Sequence, residues 1–280
     1  MTNYSLDGKV AIVTGSSSGI GKGIAAALAN NGAHVVATSR TYERAVKVVE
    51  EIIRQGGRAT PCSFDLEDHL SGEQLLDTVK KQLNRVDILV NNAISRDSIT
   101  PNHFSELQYK NLTSGITNNL TNIMHLTSQA YPYLKATKGI VLNIGSVIVS
   151  RHVSGLLLYS IIKGGITRLT KGLASEWAND RIRVNQINPG FVETDSIVDK
   201  YPEKVIKDYK EQWRHHHPLG QIGTSEDIFE LALYMVSDKA RWMTGSVIDI
   251  DGGFSVQGVP FPFLNRQTDS EQSHSLTTPK

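Results

Sequence analysis

The sequence predicts an α/β fold: one doubly wound, mostly parallel seven-stranded sheet with helices on both faces. Three observations predict it. Short β-branched apolar runs alternate with amphipathic stretches along most of the 280 residues, and that rhythm implies crossover connections within a parallel sheet. The first run closes directly into a glycine-rich turn that opens a helix. The run from Ile88 to Val90 is very short and wholly apolar, as a strand buried on both faces is.

The elements follow in order. Val10 to Val13 is the first strand, closed by Thr14-Gly15. Gly19 to Ala29 is a helix rich in alanine and isoleucine that stops at Asn30-Asn31-Gly32. A strand from His34 to Thr38 leads into a helix from Thr41 to Gln55, which ends at Gly56-Gly57. Ala59 to Phe64 is the third strand, Asp68 to Leu83 the third helix and Ile88 to Val90 the fourth strand. A long helical pattern then runs from about Leu112 to Leu134, followed by a strand from Ile140 to Ile144. The helix from Tyr159 to Ala178, the strand from Arg183 to Ile187, the helix from Ser225 to Met235 and the strand from Ser246 to Ile250 complete the pattern. Residues 1–258 are expected to form a single domain, and the polar tail 259–280 to be flexible. Asp195 to Pro218 is charged and aromatic, with no strand and a weak helical pattern.

Composition narrows the function classes. At 39% hydrophobic and 20% charged residues the chain is globular in type. A net charge of +1 argues against nucleic acid or an anionic membrane as a bulk partner. The single cysteine, Cys62, lies in an apolar stretch and reads as a small buried thiol. The N-terminus reaches Asp7-Gly8-Lys9 with no apolar signal region, and no window approaches a membrane span, so a cytoplasmic setting is expected. The Asn-Leu-Thr triplets at Asn111 and Asn119 match a glycosylation acceptor by spelling and are read as chance in that setting.

Thr14-Gly15-Ser16-Ser17-Ser18-Gly19-Ile20-Gly21 sits between the first strand and the first helix. Its glycines let the backbone approach a pyrophosphate, and the helix starting at Gly19 aims its N–H groups and positive dipole end at the phosphates. Gly15, Ser17, Ser18, Gly19, Ile20 and Gly21 are the candidate phosphate-binding residues. An acidic residue at the end of the second strand would bond the adenosine ribose hydroxyls of NAD. Ser39 and Arg40 stand there instead. Arginine can fork onto a 2′-phosphate, so the pair reads as selecting NADP(H), with NAD still possible. The plainer alternative is that Arg40 is a solvated residue opening a helix.

Tyr159 and Lys163 stand at i and i+4 of a predicted helix and so share a face. A free tyrosine has a pKa near ~10, and a nearby ammonium lowers that value toward what acid–base work at neutral pH needs. Ser146 ends the fifth strand on the carboxyl edge of the sheet, where ligands of doubly wound folds bind. Asn91-Asn92-Ala93 ends the fourth strand on that edge, and Asn188-Pro189-Gly190 ends the sixth.

In these segments, in their order and spacing, the chain resembles the short-chain dehydrogenase/reductase family in its single-domain, Rossmann-type form. The resemblance spans roughly residues 6–257. It implies NAD(P)(H) binding and hydride transfer between an alcohol and a carbonyl carbon. It implies that Tyr159 is the proton donor or acceptor, that Lys163 tunes Tyr159 and holds the nicotinamide ribose, and that Ser146 bonds the substrate oxygen. It implies an asparagine that holds a water in the proton relay, for which Asn119 is better spaced from Ser146 than Asn111. Asp65 and Leu66 are expected at the adenine, Asn92 and Ala93 beside the cofactor, and Pro189, Gly190, Val192 and Thr194 at the nicotinamide carboxamide. No metal is expected. The family resemblance also implies a homo-oligomer, tetramer or dimer, associating through two long helices and the last strand.

The chain departs from the family pattern at two places. Ile94 stands where the family usually has glycine, and Gly145 where it often has serine. The segment 195–218 corresponds to a lid over the substrate. Its Tyr201, Tyr209 and Trp213 would cover a ring-shaped or apolar substrate or, the favoured reading, pack the lid onto the body. His215-His216-His217 reads as solvated, because adjacent residues diverge rather than converge on one ion. Lys207, Lys210 and Arg214 read as a solvated lid face. The leading function expected is an NADP(H)-dependent alcohol dehydrogenase or carbonyl reductase. The alternatives are a 3-oxoacyl thioester reductase, or a cofactor-binding regulator that has lost turnover.

Overall fold

A computed structural model of the chain describes residues 4–96, 102–194 and 203–258, apart from the side chains at 203 and 209. The chain winds outward in both directions from β1 (Val10–Val13). On one side of it lie β2 (His34–Ser39) and β3 (Arg58–Ser63). On the other lie β4 (Ile88–Asn91), β5 (Ile140–Ile144), β6 (Arg183–Pro189) and β7 (Val247–Ile250). The order is β3-β2-β1-β4-β5-β6-β7, and every pairing is parallel. The reversal of strand order between β1 and β4 opens a crevice at their carboxyl ends.

The connecting helices are α1 (Gly19–Asn30), α2 (Tyr42–Arg54), α3 (Ser71–Gln82), α4 (Tyr109–Ile116), α5 (Asn122–Thr137), α6 (Leu157–Glu176), α7 (Glu203–Arg214) and α8 (Ser225–Val236). Alternation along each strand feeds two apolar layers. Ala11 and Val13 pack with Ile24 and Leu28 of α1, Val48 and Ile52 of α2, and Ile228 and Leu233 of α8. Val10 and Ile12 face the other way and pack with Leu75 and Val79 of α3, Leu126 and Leu134 of α5 and Ile166 of α6. Cys62 is buried in this second layer, as a small apolar residue would be.

Two elements differ from the sequence reading. The long pattern after residue 108 is α4 and α5 joined by a π-helical turn, Thr117–Thr121. Its apolar spacing carries no mark of the extra residue that such a turn inserts. The segment 195–218 contains α7, a full helix whose Ile206 is buried. Its charged composition masks the narrow apolar stripe that seats it. The first part of this segment with Tyr201, the side chain of Tyr209, and the tail 259–280 lie outside the described residues. Elsewhere the element ends move by one to three residues, the largest at the start of α3 (Ser71 rather than Asp68), close to the ordinary uncertainty of helix and strand termini.

Candidate active site

The candidate residues gather along the carboxyl edge of the sheet because each follows a parallel strand. β1 and β4 run in register, with Val13 opposite Val90. The Thr14 hydroxyl donates to Val90 O and accepts the N–H groups of Asn92 and Ala93 at 2.9 and 3.0 Å. The Asn92 side-chain amide donates to the carbonyls of Thr14 and Gly15. Asn92 therefore shapes the glycine loop, which its sequence position alone did not reveal. Ser16 does likewise toward β2: it is fully buried and its Oγ accepts the Thr38 N–H at 2.7 Å.

Gly15 has φ +64°, and a Cβ there would lie 2.8 Å from Ala93 Cα, so only glycine allows this approach of β1's loop to β4's. Ser18 caps α1 with extended backbone and makes no side-chain capping bond, and the first turn holds no acidic residue. No capping side chain or carboxylate thus competes for the N–H groups of this helix end, an arrangement that fits a pyrophosphate. Ser17 and Ile20 flank this end, and Thr194 from the segment after β6 lies against Gly19. Ser39 is buried at the end of β2 and Arg40 beside it is exposed. At the end of β3, Asp65 Oδ1 accepts the Glu67 N–H at 3.0 Å, while Leu66 is buried.

Three elements bring the catalytic candidates together. α6 puts Lys163 Nζ 5.7 Å from the centre of the Tyr159 ring. Lys163 is buried and donates to Ile144 O, the last carbonyl of β5, at 2.8 Å. Ser146 leaves β5 two residues later, with its hydroxyl near the Tyr159 phenol. Burial pushes the Tyr159 phenol above its ordinary value, opposed by the Ser146 hydroxyl and the positive charge of Arg96. Burial pulls the Lys163 ammonium down to about 8. Arg96, which the sequence reading passed over, supplies a positive charge that lowers the phenol. It lies in no recognisable motif, only beyond the Asn91-Asn92-Ala93 segment.

Asn119 sits in the π-helical turn and is buried. Its Oδ1 accepts the Ser95 N–H at 2.8 Å, and its Nδ2 donates to Ser95 O and Gly115 O, each at 3.2 Å. The side chain therefore clamps the loop that carries Arg96. Ser95 Oγ also donates to Glu67 at 2.7 Å, tying this loop to the one after β3. Asn111, with the same triplet, is exposed and accepts the Gln108 N–H at the start of α4. Nothing in the structure explains Ile94.

Pro189 ends β6. Gly190 N–H donates to Ile250 O, and a Cβ on Gly190 would lie 2.7 Å from Asp251 Cα. Phe191 stacks on Trp213 of α7, with ring centres 4.9 Å apart and planes 8° from parallel. Trp213 also meets Phe254, so it packs α7 onto the body. Lys210 pairs with Glu193 at 2.6 Å, so that lysine is engaged rather than solvated. His217 corrects the sequence reading of its triplet. It is 3% exposed; its Nε2 accepts the Phe191 N–H at 3.4 Å and its Nδ1 lies 2.7 Å from Trp213 O. The tertiary return of the chain beside Phe191 buries it, while His215 and His216 remain exposed. Among the described residues, no three His, Cys, Asp or Glu side chains group to hold a metal. No helix among them is long and apolar enough to cross a membrane.

Known proteins share this sequence pattern and this fold. Residues 15–255 match the family model described as enoyl-(acyl carrier protein) reductase. The chain is 33% identical over 253 residues to 3-oxoacyl-(acyl-carrier-protein) reductase FabG of Thermotoga maritima, covering 90% of this chain and 99% of that protein. It superposes on a short-chain type dehydrogenase/reductase from Mycobacterium marinum with a TM-score of 0.81 at 29% identity, over 91% and 98% of the two chains. It superposes on 7α-hydroxysteroid dehydrogenase in complex with NADH and 7-oxo glycochenodeoxycholic acid with a TM-score of 0.81 at 30% identity, over 90% and 96%.

Proposed function

We propose that this chain, which belongs to the short-chain dehydrogenase/reductase family, is an NADP(H)-dependent oxidoreductase that interconverts an alcohol and a carbonyl with Tyr159 as the acid–base group. The observation that carries the reading is the meeting of Tyr159, Ser146 and Lys163 at the carboxyl edge of the sheet, beside the crevice between β1 and β4. When bound, the nicotinamide would supply or accept hydride. Tyr159 Oη gives its proton to the forming alkoxide or takes it back in the reverse direction. The Ser146 hydroxyl donates to the substrate oxygen and steadies the developing charge. Lys163, anchored on Ile144 O, would hold the nicotinamide ribose hydroxyls. Asn119 holds the loop after β4 and serves the proton relay.

The glycine loop from Gly15 to Gly21, the ends of β2 and β3 at Ser39, Arg40, Asp65 and Leu66, and the wall from Pro189 to Thr194 would hold the cofactor. Arg40 supports NADP(H) over NAD(H), because its guanidinium is suited to a 2′-phosphate. A 3-oxoacyl thioester is the second substrate reading, supported by the named activity of the FabG relative. We expect a cytoplasmic homo-oligomer, tetramer or dimer. The exposed Ile116, Met124 and Ile161 on and between the helices α4 to α6 support association through that face.

The test is a fluorescence titration with NADPH and NADH, followed by assays with the tighter one against ketones, quinones and acyl thioesters. Tighter NADPH binding with turnover supports the whole reading. Tighter NADH binding removes the role given to Arg40. Binding with no turnover across all three substrate classes favours the regulator.

A further inference from the structure

We propose that Asp249 on β7 is a positioning residue for Ser146, its one carboxylate holding both ends of the turn that begins at that serine. The proposal rests on the reading of Ser146 as the hydroxyl that meets the substrate oxygen. Ser146 caps a short 3-10 turn, Val147–Val149, which Ser150 closes. At the start of the turn, the Ser146 N–H donates to Asn188 Oδ1 at 3.1 Å. Asn188 Nδ2 in turn donates to Asp249 Oδ1 at 2.8 Å. At the end of the turn, Ser150 Oγ donates to Asp249 Oδ2 at 3.0 Å. The two carboxylate oxygens thus reach the two ends of one turn from β7, two strands from β5, one directly and one through Asn188.

The chemistry of the groups makes the arrangement directional. An ionised carboxylate accepts and does not donate. Facing Asn188, it dictates which way the amide points: Nδ2 toward Asp249, Oδ1 toward Ser146. Gln186 Nε2 reinforces this by donating to Asn188 Oδ1 at 2.6 Å, and its other contact is Thr167 Oγ1 at 2.8 Å. Asn188 and Gln186 are fully buried, so an amide turned over would set donor against donor with no water to relieve it. Register brings the partners together. Asn188 pairs with Asp249 across β6 and β7, and Ile144 with Ile187 across β5 and β6. Asp249 is 61 residues from Asn188 and 99 from Ser150 along the chain.

A hydroxyl that donates to a developing oxyanion must be placed to within a fraction of an ångström, and here its backbone is fixed at both ends of its turn. The test measures Asp249→Leu, Asp249→Asn, Ser146→Ala and the unaltered protein side by side. Turnover is followed with NADPH and the carbonyl that the unaltered protein reduces fastest, alongside NADPH affinity, thermal unfolding and amide hydrogen exchange. Asp249→Leu is expected to lower kcat about ten- to a hundredfold, since small misplacements near the reacting atoms have effects of that order. NADPH affinity stays the same, and exchange at Ser146 and Ile148 speeds up. Asp249→Asn, whose amide can still accept from Asn188 and bond Ser150, is expected to restore both readouts.

Unchanged kcat in Asp249→Leu, when Ser146→Ala has lost it, overturns the proposal. So does an equal loss in the Leu and Asn variants, which would mark an effect of charge alone. If Ser146→Ala keeps its turnover, the reading of Ser146 fails instead. Hydrogen exchange then decides the clamp by itself, and unchanged rates at Ser146 and Ile148 in Asp249→Leu overturn it.

Discussion

A methyl group on Gly145 would fall on Asn188 Oδ1 and on Gln186 Nε2. The family often has serine where this chain has Gly145, and the structure gives the reason for the difference. The space that a side chain at 145 would need is filled by the two buried amides that hold the start of the Ser146 turn. Gly145 and Asn188 are a matched pair. Gly145→Ala is expected to destabilise the fold by about 1–3 kcal/mol, the usual cost of overpacking. Asn188→Ala in the same chain should recover only the part of that loss due to Asn188, since Gln186 Nε2 still stands in the space, while leaving the Ser146 N–H without its acceptor. A urea-unfolding double-mutant cycle measures the coupling; additive effects would show that the two residues do not share the space.

Removal of the Tyr159 hydroxyl tests the chemistry directly. Tyr159→Phe keeps the ring that Lys163 approaches and loses only Oη. Turnover should fall by about two to four orders of magnitude, the range for a lost general acid. NADPH affinity should stay close to that of the unaltered protein. Fluorescence titration and single-turnover kinetics check the two parts separately.

Arg40 tests the cofactor reading. Arg40→Ala should weaken NADPH binding by roughly ten- to a hundredfold, the value of a charge-assisted bond of about 1.5–3 kcal/mol. NADH binding should hardly change, because NADH has no 2′-phosphate. Equal weakening of both cofactors would place Arg40 outside that contact.

Lys163 makes a prediction about stability and pH. Burial lowers its ammonium from 10.5 to about 8 in the folded chain. Below pH 8 both folded and unfolded chains hold the proton, and the full penalty of burying the charge applies, about 3 kcal/mol at 1.36 kcal/mol for each unit. Between about pH 8 and 10.5 the unfolded chain binds more protons than the folded one, so this lysine's contribution to stability rises with pH. Lys163→Met removes the titration. The unfolding free energy of the unaltered protein, relative to the variant, should therefore improve as pH rises from 8 to 10, as read by urea titration at each pH. A difference that stays flat across that window would contradict the burial of a charged lysine.

The architecture, and the placing of most of the candidate site, were legible in the sequence. Alternating strand and helix patterns dictate a parallel sheet, and any residue just past a parallel strand must lie on the carboxyl edge. Gly15, Asn92, Ser146 and Pro189 were therefore legible from position alone. So was the shared face of Tyr159 and Lys163, since four residues is one helical turn. The tertiary structure decided what depends on partners far apart in the chain. The bonds from Asp249 to Asn188 and Ser150, the burial of His217 beside Phe191, and the hold of Asn119 on Ser95 leave no periodic trace. The π-helical turn at Asn119 is equally silent, because one added residue hardly disturbs the apolar spacing. Periodicity reports which face of an element is buried. Which polar group meets which is settled only when strands come into register and side chains must satisfy one another.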